Sequence, residues 1–277
     1  MTDTPSSQDR REPGAESGDG GTRMITAGTP VHYYESQTRR IWRRFLRHRL
    51  AVVGGCVVGG LLLMAGFANY LSPHDPLELD TQRRFIAPFT DAAFVLGTDE
   101  MGRDMLSRLF YGGRISLVVG VAAMFATIVT GLLIGLIAGF YGGRVDNFLM
   151  RFTDTMLCFP QVFLLLVLAA FITPTVISIA LIIGLTSWME VARIIRAQIQ
   201  YVKEQDFIQA AFAMGASGPR IMFRELLPNA IAPVLVSATL NVANAVLMES
   251  YISFLGYGIQ PPLASWGNML TNAQSYF

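Results

Sequence analysis

Charge is the scarcest resource in this 277-residue chain: 15% of residues are charged while 52% are hydrophobic, and the mean hydropathy is +0.43. Soluble domains carry about 25% charged residues, so a typical cytosolic enzyme is excluded and a membrane protein is indicated. Lysine is almost absent, Lys203 being the only one. It sits in Val202-Lys203-Glu204 with no glycine-rich run before it, so the loop that cradles nucleotide phosphates is missing. Two cysteines, Cys56 and Cys158, lie in or beside apolar runs, which leaves neither a disulfide framework nor a zinc cluster. The three histidines (His32, His48, His74) are isolated, and none reads as a metal ligand. No H-E-x-x-H and no Gly-x-Ser-x-Gly occurs, so no catalytic residue and no cofactor site is expected. The apolar runs hold no charges for a proton or sodium relay, so uphill movement would draw its energy from another subunit.

What is present is a set of long apolar runs. Residues 1–33, rich in Ser, Gly, Asp, Glu and Pro, read as a disordered cytoplasmic tail. In 34–49, Ile41, Trp42, Phe45 and Leu46 recur at helical spacing among six arginines, as in a juxtamembrane amphipathic helix lying in the headgroups or simply anchoring the first span. Spans are expected at about 50–71, 115–141, 155–172, 176–188 and 230–247, with a polar loop at 189–229. Pro174 between the third and fourth implies an antiparallel hairpin. Glycines at 54, 55, 59, 60 and 66, and at 131, 135 and 139, suit close helix packing. Asp99/Arg103 and Asp104/Arg108 are spaced i,i+4, opposite Met101, Met105, Leu106, Leu109 and Phe110, which predicts an exposed amphipathic helix at the membrane surface.

Arginine placement orients the chain. With the N-terminus inside, nine basic residues precede the first span, two lie in 142–154 and five in 189–229, against five in the outside loop 72–114, where seven acids accompany them. This obeys the positive-inside rule. A striped nucleic-acid face is not seen. Glu249, the only acid after Glu225, follows an apolar run and reads as either a solvated helix end or a pathway-facing group. No run in 250–277 is apolar enough for a further helix, so five spans with an outside C-terminus are expected.

The 189–229 loop holds Phe207, Gln209-Ala210-Ala211, Gly215, Gly218-Pro219-Arg220 and Leu227-Pro228-Asn229. Physically it predicts a short helix ending at Gly215 and a turn through Gly218-Pro219, a compact elbow whose small residues admit a partner surface. The spacing of Ala210, Ala211, Gly215, Leu227 and Pro228 resembles the cytoplasmic signature of ATP-binding-cassette importer permeases, with Gln209 where the family usually has Glu and Glu225 where His is common. Leu96 to Leu117 and Met248 to Leu270 are similar to the dipeptide, oligopeptide and nickel class, C-type subunit, and the likeness covers most of 45–277. The resemblance implies an all-α polytopic bundle of the type I importer kind, with a sixth helix apparently missing. It implies a non-catalytic transport subunit of the cell membrane, most simply for peptides, with nickel or glutathione as the alternative cargo. Its implied partners are a second permease, two cytoplasmic ATP-binding subunits and an extracytoplasmic substrate-binding protein. Phe207, Gln209, Ala210, Ala211, Gly215, Arg220, Leu227 and Pro228 are the implied coupling residues. The rival classes are a membrane enzyme, which these nearly blank spans argue against, and a secondary transporter, separable by vanadate-sensitive uptake.

Overall fold

The computed structural model describes residues 42–43 and 45–271. The expected tail 1–33 and most of the 34–49 segment lie outside the described residues. Residues up to Ala51 and those from Val52 form separate units. In the first, the rings of Trp42 and Phe45 stack at 5.7 Å and both are exposed.

The elements are all helical: α1 Arg49–Gly66, α2 Ala68–Leu71, α3 Met105–Tyr141, α4 Gly143–Leu157, α5 Gln161–Phe171, α6 Val176–Lys203, α7 Asp206–Ala213, α8 Gly218–Arg220, a π segment Ile221–Leu226, α9 Leu227–Asn229, α10 Ile231–Phe254 and α11 Trp266–Thr271. No strand forms among the described residues. Four helices (α1, α3, α6 and α10) are long and apolar enough to cross a membrane, and α4 with α5 makes a fifth if that bent pair is one span.

α1 buries only Ala65, and a Cβ added at Gly54, Gly59, Gly60 or Gly66 would meet nothing within 4 Å. Those glycines therefore do not serve packing among the described residues. The stripe in α3 does. A Cβ at Gly131 would lie 2.8 Å from the Val191 Cβ, one at Gly135 2.5 Å from the Ala192 carbonyl, and one at Gly139 2.8 Å from the Ile199 Cβ. Without side chains there, α3 and α6 come together backbone to backbone and form the principal helix pair, onto which α10 packs.

Four expected boundaries are corrected. α3 begins at Met105, ten residues before the uncharged run, because the Asp104 side chain accepts the Leu106 and Ser107 amides and caps it. The surface helix expected over 99–110 is therefore a loop followed by the first turn of α3. Its charges are buried rather than exposed: Arg103 Nε donates to Asp99 Oδ2 at 2.7 Å, and Arg108 approaches the same oxygen at 3.6 Å. Asp104 does not pair with Arg108. It accepts the Ser107 hydroxyl instead.

The third span is broken. Helix α4 ends at Leu157 and α5 starts at Gln161 after a bend of 84°. Pro160 supplies no amide to the turn before it and biases Phe159 away from helical geometry. The hairpin expectation holds in form, with Gln161 Nε2 donating to Ser187 Oγ at 2.8 Å across α5 and α6. Thr175 and Ser178 form a reciprocal capping box at the start of α6.

The fourth span does not stop at Trp188, since α6 runs on to Lys203. Its charges are carried by ion pairs to α4: Arg196 grips Asp146 through Nε and Nη2, and Arg193 pairs with Asp154. The loop therefore begins at Glu204, not at 189. The fifth span likewise continues past Leu247 to Phe254, which places Glu249 inside α10.

Candidate functional site

The elbow 204–229 is built on the ends of α3 and α6. Ile208, Ile221 and Leu226 are fully buried, and with Met222 they join Leu136 and Phe140 of α3 and Val191, Ile195, Ile199 and Val202 of α6 in one apolar cluster. Burying side chains of this size stabilises the docking by about 1.5–3 kcal/mol each as an upper estimate. Lys203 adds a polar tie. Its Nζ donates to the Phe140 carbonyl at 2.6 Å, near the end of α3, while its own carbonyl accepts Gln209 Nε2 at 2.9 Å.

α7 ends as the sequence anticipates. Gly215 has φ +76°, its amide donates to the Phe212 carbonyl at 3.0 Å, and Ala216 N donates to the Ala211 carbonyl at 3.1 Å. This pair of reversed bonds is a Schellman motif, and it closes the last carbonyls of α7. Ala211 and Ala216 both pack on the apolar cluster beneath. Pro219 occupies the first turn of α8, where its missing amide costs nothing.

Leu227-Pro228-Asn229 has a physical role of its own. Pro228 cannot donate to Arg224, and its ring would press on that carbonyl in an α-helix. The chain answers with the π segment, in which Leu227 N reaches the Met222 carbonyl five residues back. Asn229 Nδ2 then donates to the Glu225 carbonyl at 2.6 Å. These bonds satisfy the Met222 and Glu225 carbonyls as the elbow passes into α10.

The structure brings the candidate residues into one surface with two faces. Phe207, Gln209, Ala210, Gly215, Arg220 and Pro228 are exposed, whereas Leu227 is half-buried and Ala211 is half-buried against the cluster. A Cβ at Gly215 would meet nothing within 4 Å. Three contributors escaped the sequence reading: Phe212, Met214 and Phe223, exposed at 38%, 82% and 55%. The available signal was that Phe207, Ala210 and Met214 recur at helical spacing on the side opposite Ile208. Arg220 and Arg224 are exposed on the same elbow.

Glu249 is placed elsewhere. It is 0% exposed, which corrects the expectation of a solvated helix end. Its Oε2 accepts the Ser116 hydroxyl at 2.8 Å and its Oε1 accepts the Ser253 hydroxyl at 2.6 Å. No group of three or more His, Cys, Asp or Glu side chains is arranged to hold a metal among the described residues.

Comparison with known proteins agrees with this architecture. Residues 131–277 match the family described as binding-protein-dependent transport system inner membrane component, and residues 36–88 match the N-terminal TM domain of oligopeptide transport permease C. The chain is 37% identical over 234 residues to a dipeptide transport system permease protein of Bacillus subtilis, covering 84% of this chain and 72% of that one. It is 35% identical over 254 residues to a di/tripeptide transport system permease protein of Pseudomonas aeruginosa, covering 90% and 84% of the two chains. A putative peptide permease protein of Brucella suis is 40% identical over 254 residues, with 92% and 83% covered. The chain belongs to the binding-protein-dependent transport family and is an inner membrane permease subunit of an ATP-binding-cassette importer.

Proposed function

We propose that this subunit imports di- or oligopeptides, and that its 204–229 elbow transmits the work of ATP hydrolysis on partner subunits. The carrying observation is the two-faced elbow: Ile208, Ile221 and Leu226 lock one face to α3 and α6, while Phe207, Ala210, Met214 and Phe223 leave the other apolar and open. A surface that is both fixed to the span helices and unpartnered can push on them when something docks. The peptide cargo is supported by the names of the relatives, all three of them peptide permeases.

Two cytoplasmic ATPases, a second permease completing the pathway and an extracytoplasmic binding protein follow from the same reading. The chain carries no nucleotide loop of its own and acts without catalysis. The arginine distribution supports a cytoplasmic N-terminus, and with Lys203, Arg220 and Arg224 it supports the same side for the elbow.

The test is site-directed cross-linking in the reconstituted importer, with Cys56→Ala and Cys158→Ala removing the native thiols. A Met214→Cys chain should cross-link to an ATPase subunit carrying an engineered thiol, and ATP-dependent uptake of a labelled dipeptide should survive competition by nickel. No adduct of the Met214→Cys chain under any nucleotide condition rejects the docking role. Uptake of nickel but not of dipeptide rejects the cargo.

A further inference from the structure

A carboxyl group inside an apolar span is expensive to bury, and Glu249 has no cation beside it among its described partners. Its partners are two serine hydroxyls from different helices, Ser116 on α3 and Ser253 on α10. Each serine is engaged a second time, and always by the segment after α10. Ser116 Oγ accepts the Trp266 amide at 3.2 Å, and Ser253 Oγ accepts the Ile259 amide at 3.1 Å. The bonds therefore run inward from both parts of 255–271, through two hydroxyls, to the two oxygens of one carboxyl group.

The segment so held is a built element rather than a loose loop. Ser265 and Asn268 cap α11 reciprocally, and Asn268 Nδ2 also donates to the Ile259 and Leu263 carbonyls. It lies close on the bundle, because a Cβ at Gly267 would meet Ser250 Cα at 2.7 Å and one at Gly113 would meet the Trp266 ring at 2.8 Å. The Trp266 indole N–H donates to the Leu109 carbonyl at 3.2 Å.

We propose that Glu249 is a positioning residue of the transport cycle: through Ser116 and Ser253 it latches the 255–271 segment onto α3 and α10 as a cap at the outer end of the bundle. The inference rests on the orientation proposed above, which puts 255–271 outside. Both hydroxyls donate to Glu249 while their oxygens accept backbone amides, so the latch as built uses a side chain that accepts at both ends. Glutamine fits the same space but offers one acceptor and one donor. One buried hydroxyl hydrogen then loses its acceptor, and one end of the cap is released.

The experiment uses the assembled importer, with binding protein and ATPases, in a background of Cys56→Ala and Cys158→Ala. Ala264, 4% exposed beside the latch, takes the substitution Ala264→Cys as a reporter for a membrane-impermeant maleimide. Glu249→Gln should raise the outside labelling rate of this reporter thiol roughly tenfold. It should also lower the peptide transported per ATP hydrolysed without changing the KM for the loaded binding protein. Glu249→Asp, which keeps two acceptors, should return both readings toward the parent, and Ser116→Ala and Ser253→Ala should each reproduce part of the effect. Unchanged labelling and coupling in assembled Glu249→Gln and in both serine variants overturns the latch. Failure of all three to assemble overturns it too, in favour of a residue needed only for folding. Labelling of the reporter thiol from the cytoplasmic side alone instead overturns the orientation.

Discussion

Gly215 gives the sharpest test of the elbow, because the structure separates the two reasons a glycine can be required. Its φ of +76° disfavours any side chain, yet a Cβ built there meets nothing within 4 Å. Inside this chain, then, the penalty is purely conformational. A left-handed residue other than glycine is disfavoured by about 1–2 kcal/mol, and a β-branched one by more, while asparagine tolerates the region best. Gly215→Asn should therefore lose little, Gly215→Ala about 1–2 kcal/mol of elbow stability, and Gly215→Val up to about 3 kcal/mol. At about 1.4 kcal/mol per tenfold, alanine would open the Schellman turn in a minority of molecules and valine in most of them if the turn is itself only marginally stable. The assay is ATP hydrolysis stimulated by loaded binding protein in proteoliposomes, with membrane insertion followed separately. The expected order of coupling is Gly, Asn, Ala, Val, with insertion unchanged throughout. If asparagine abolishes coupling as completely as valine, backbone conformation is not the cause, and Gly215 matters only because a partner lies against it. If valine couples normally, the turn is not part of the mechanism.

The stripe in α3 should behave in the opposite way: Gly135→Leu drives a side chain into the Ala192 carbonyl at 2.5 Å and should reduce the folded subunit recovered from membranes, by about 1–3 kcal/mol or more. Gly59→Leu, whose Cβ would meet nothing within 4 Å among the described residues, should leave the thermal stability of the isolated subunit unchanged. Asp99→Ala removes the ion pair of Arg103 and one of the acids beside Arg108, both about 5% exposed, and should destabilise the 72–104 segment by up to roughly 3–5 kcal/mol, read as faster proteolysis there with the span helices intact. Lys203→Met removes the tie to the Phe140 carbonyl and should uncouple hydrolysis from uptake, with Lys203→Arg partly restoring it.

What the sequence made legible follows from what hydropathy and turn chemistry can see. Uncharged runs of span length announced α1, α3 and α10, and the four-residue glycine repeat announced the face that packs on α6. Gly215 announced the end of α7 because a left-handed cap has a residue signature. The charges of Glu190, Arg193 and Arg196 hid the second half of α6, since a running average cannot know that Asp146 and Asp154 wait on α4 to pair with two of them. Pro160 hid in an apolar window that reads as one span, although it bends the backbone by 84°. Glu249 looked like a boundary because its first partner, Ser116, is 133 residues away. For α6 and Glu249 the missing information was a contact between elements distant in sequence.

One helix connects the two devices inferred here. α3 is 37 residues long, and its backbone holds the elbow at one end through the Phe140 carbonyl and the cap toward the other through Ser116. At 1.5 Å per residue those points are about 36 Å apart, more than the roughly 30 Å of a hydrocarbon core. Along the half of that distance nearer the elbow, Gly131, Gly135 and Gly139 bring α3 against α6 with no space for added side chains. On the proposed coupling role, an ATPase that displaces the elbow would therefore move α3 and α6 together. Since Glu249 stands on α10 and Ser116 on α3, any displacement of α3 relative to α10 falls directly on the Ser116–Glu249 bond. Of the two ties to the cap, the one through Ser116 must yield first, because Ser253 and Glu249 ride on the same helix four residues apart. Removing Ser253, which leaves only the Ser116 tie, should for that reason loosen the cap in a nucleotide-dependent way, whereas removing Ser116 should loosen it equally in all nucleotide states. Maleimide labelling of the Ala264→Cys reporter with and without ATP distinguishes the two, and identical nucleotide dependence in both variants would refute the transmission through α3.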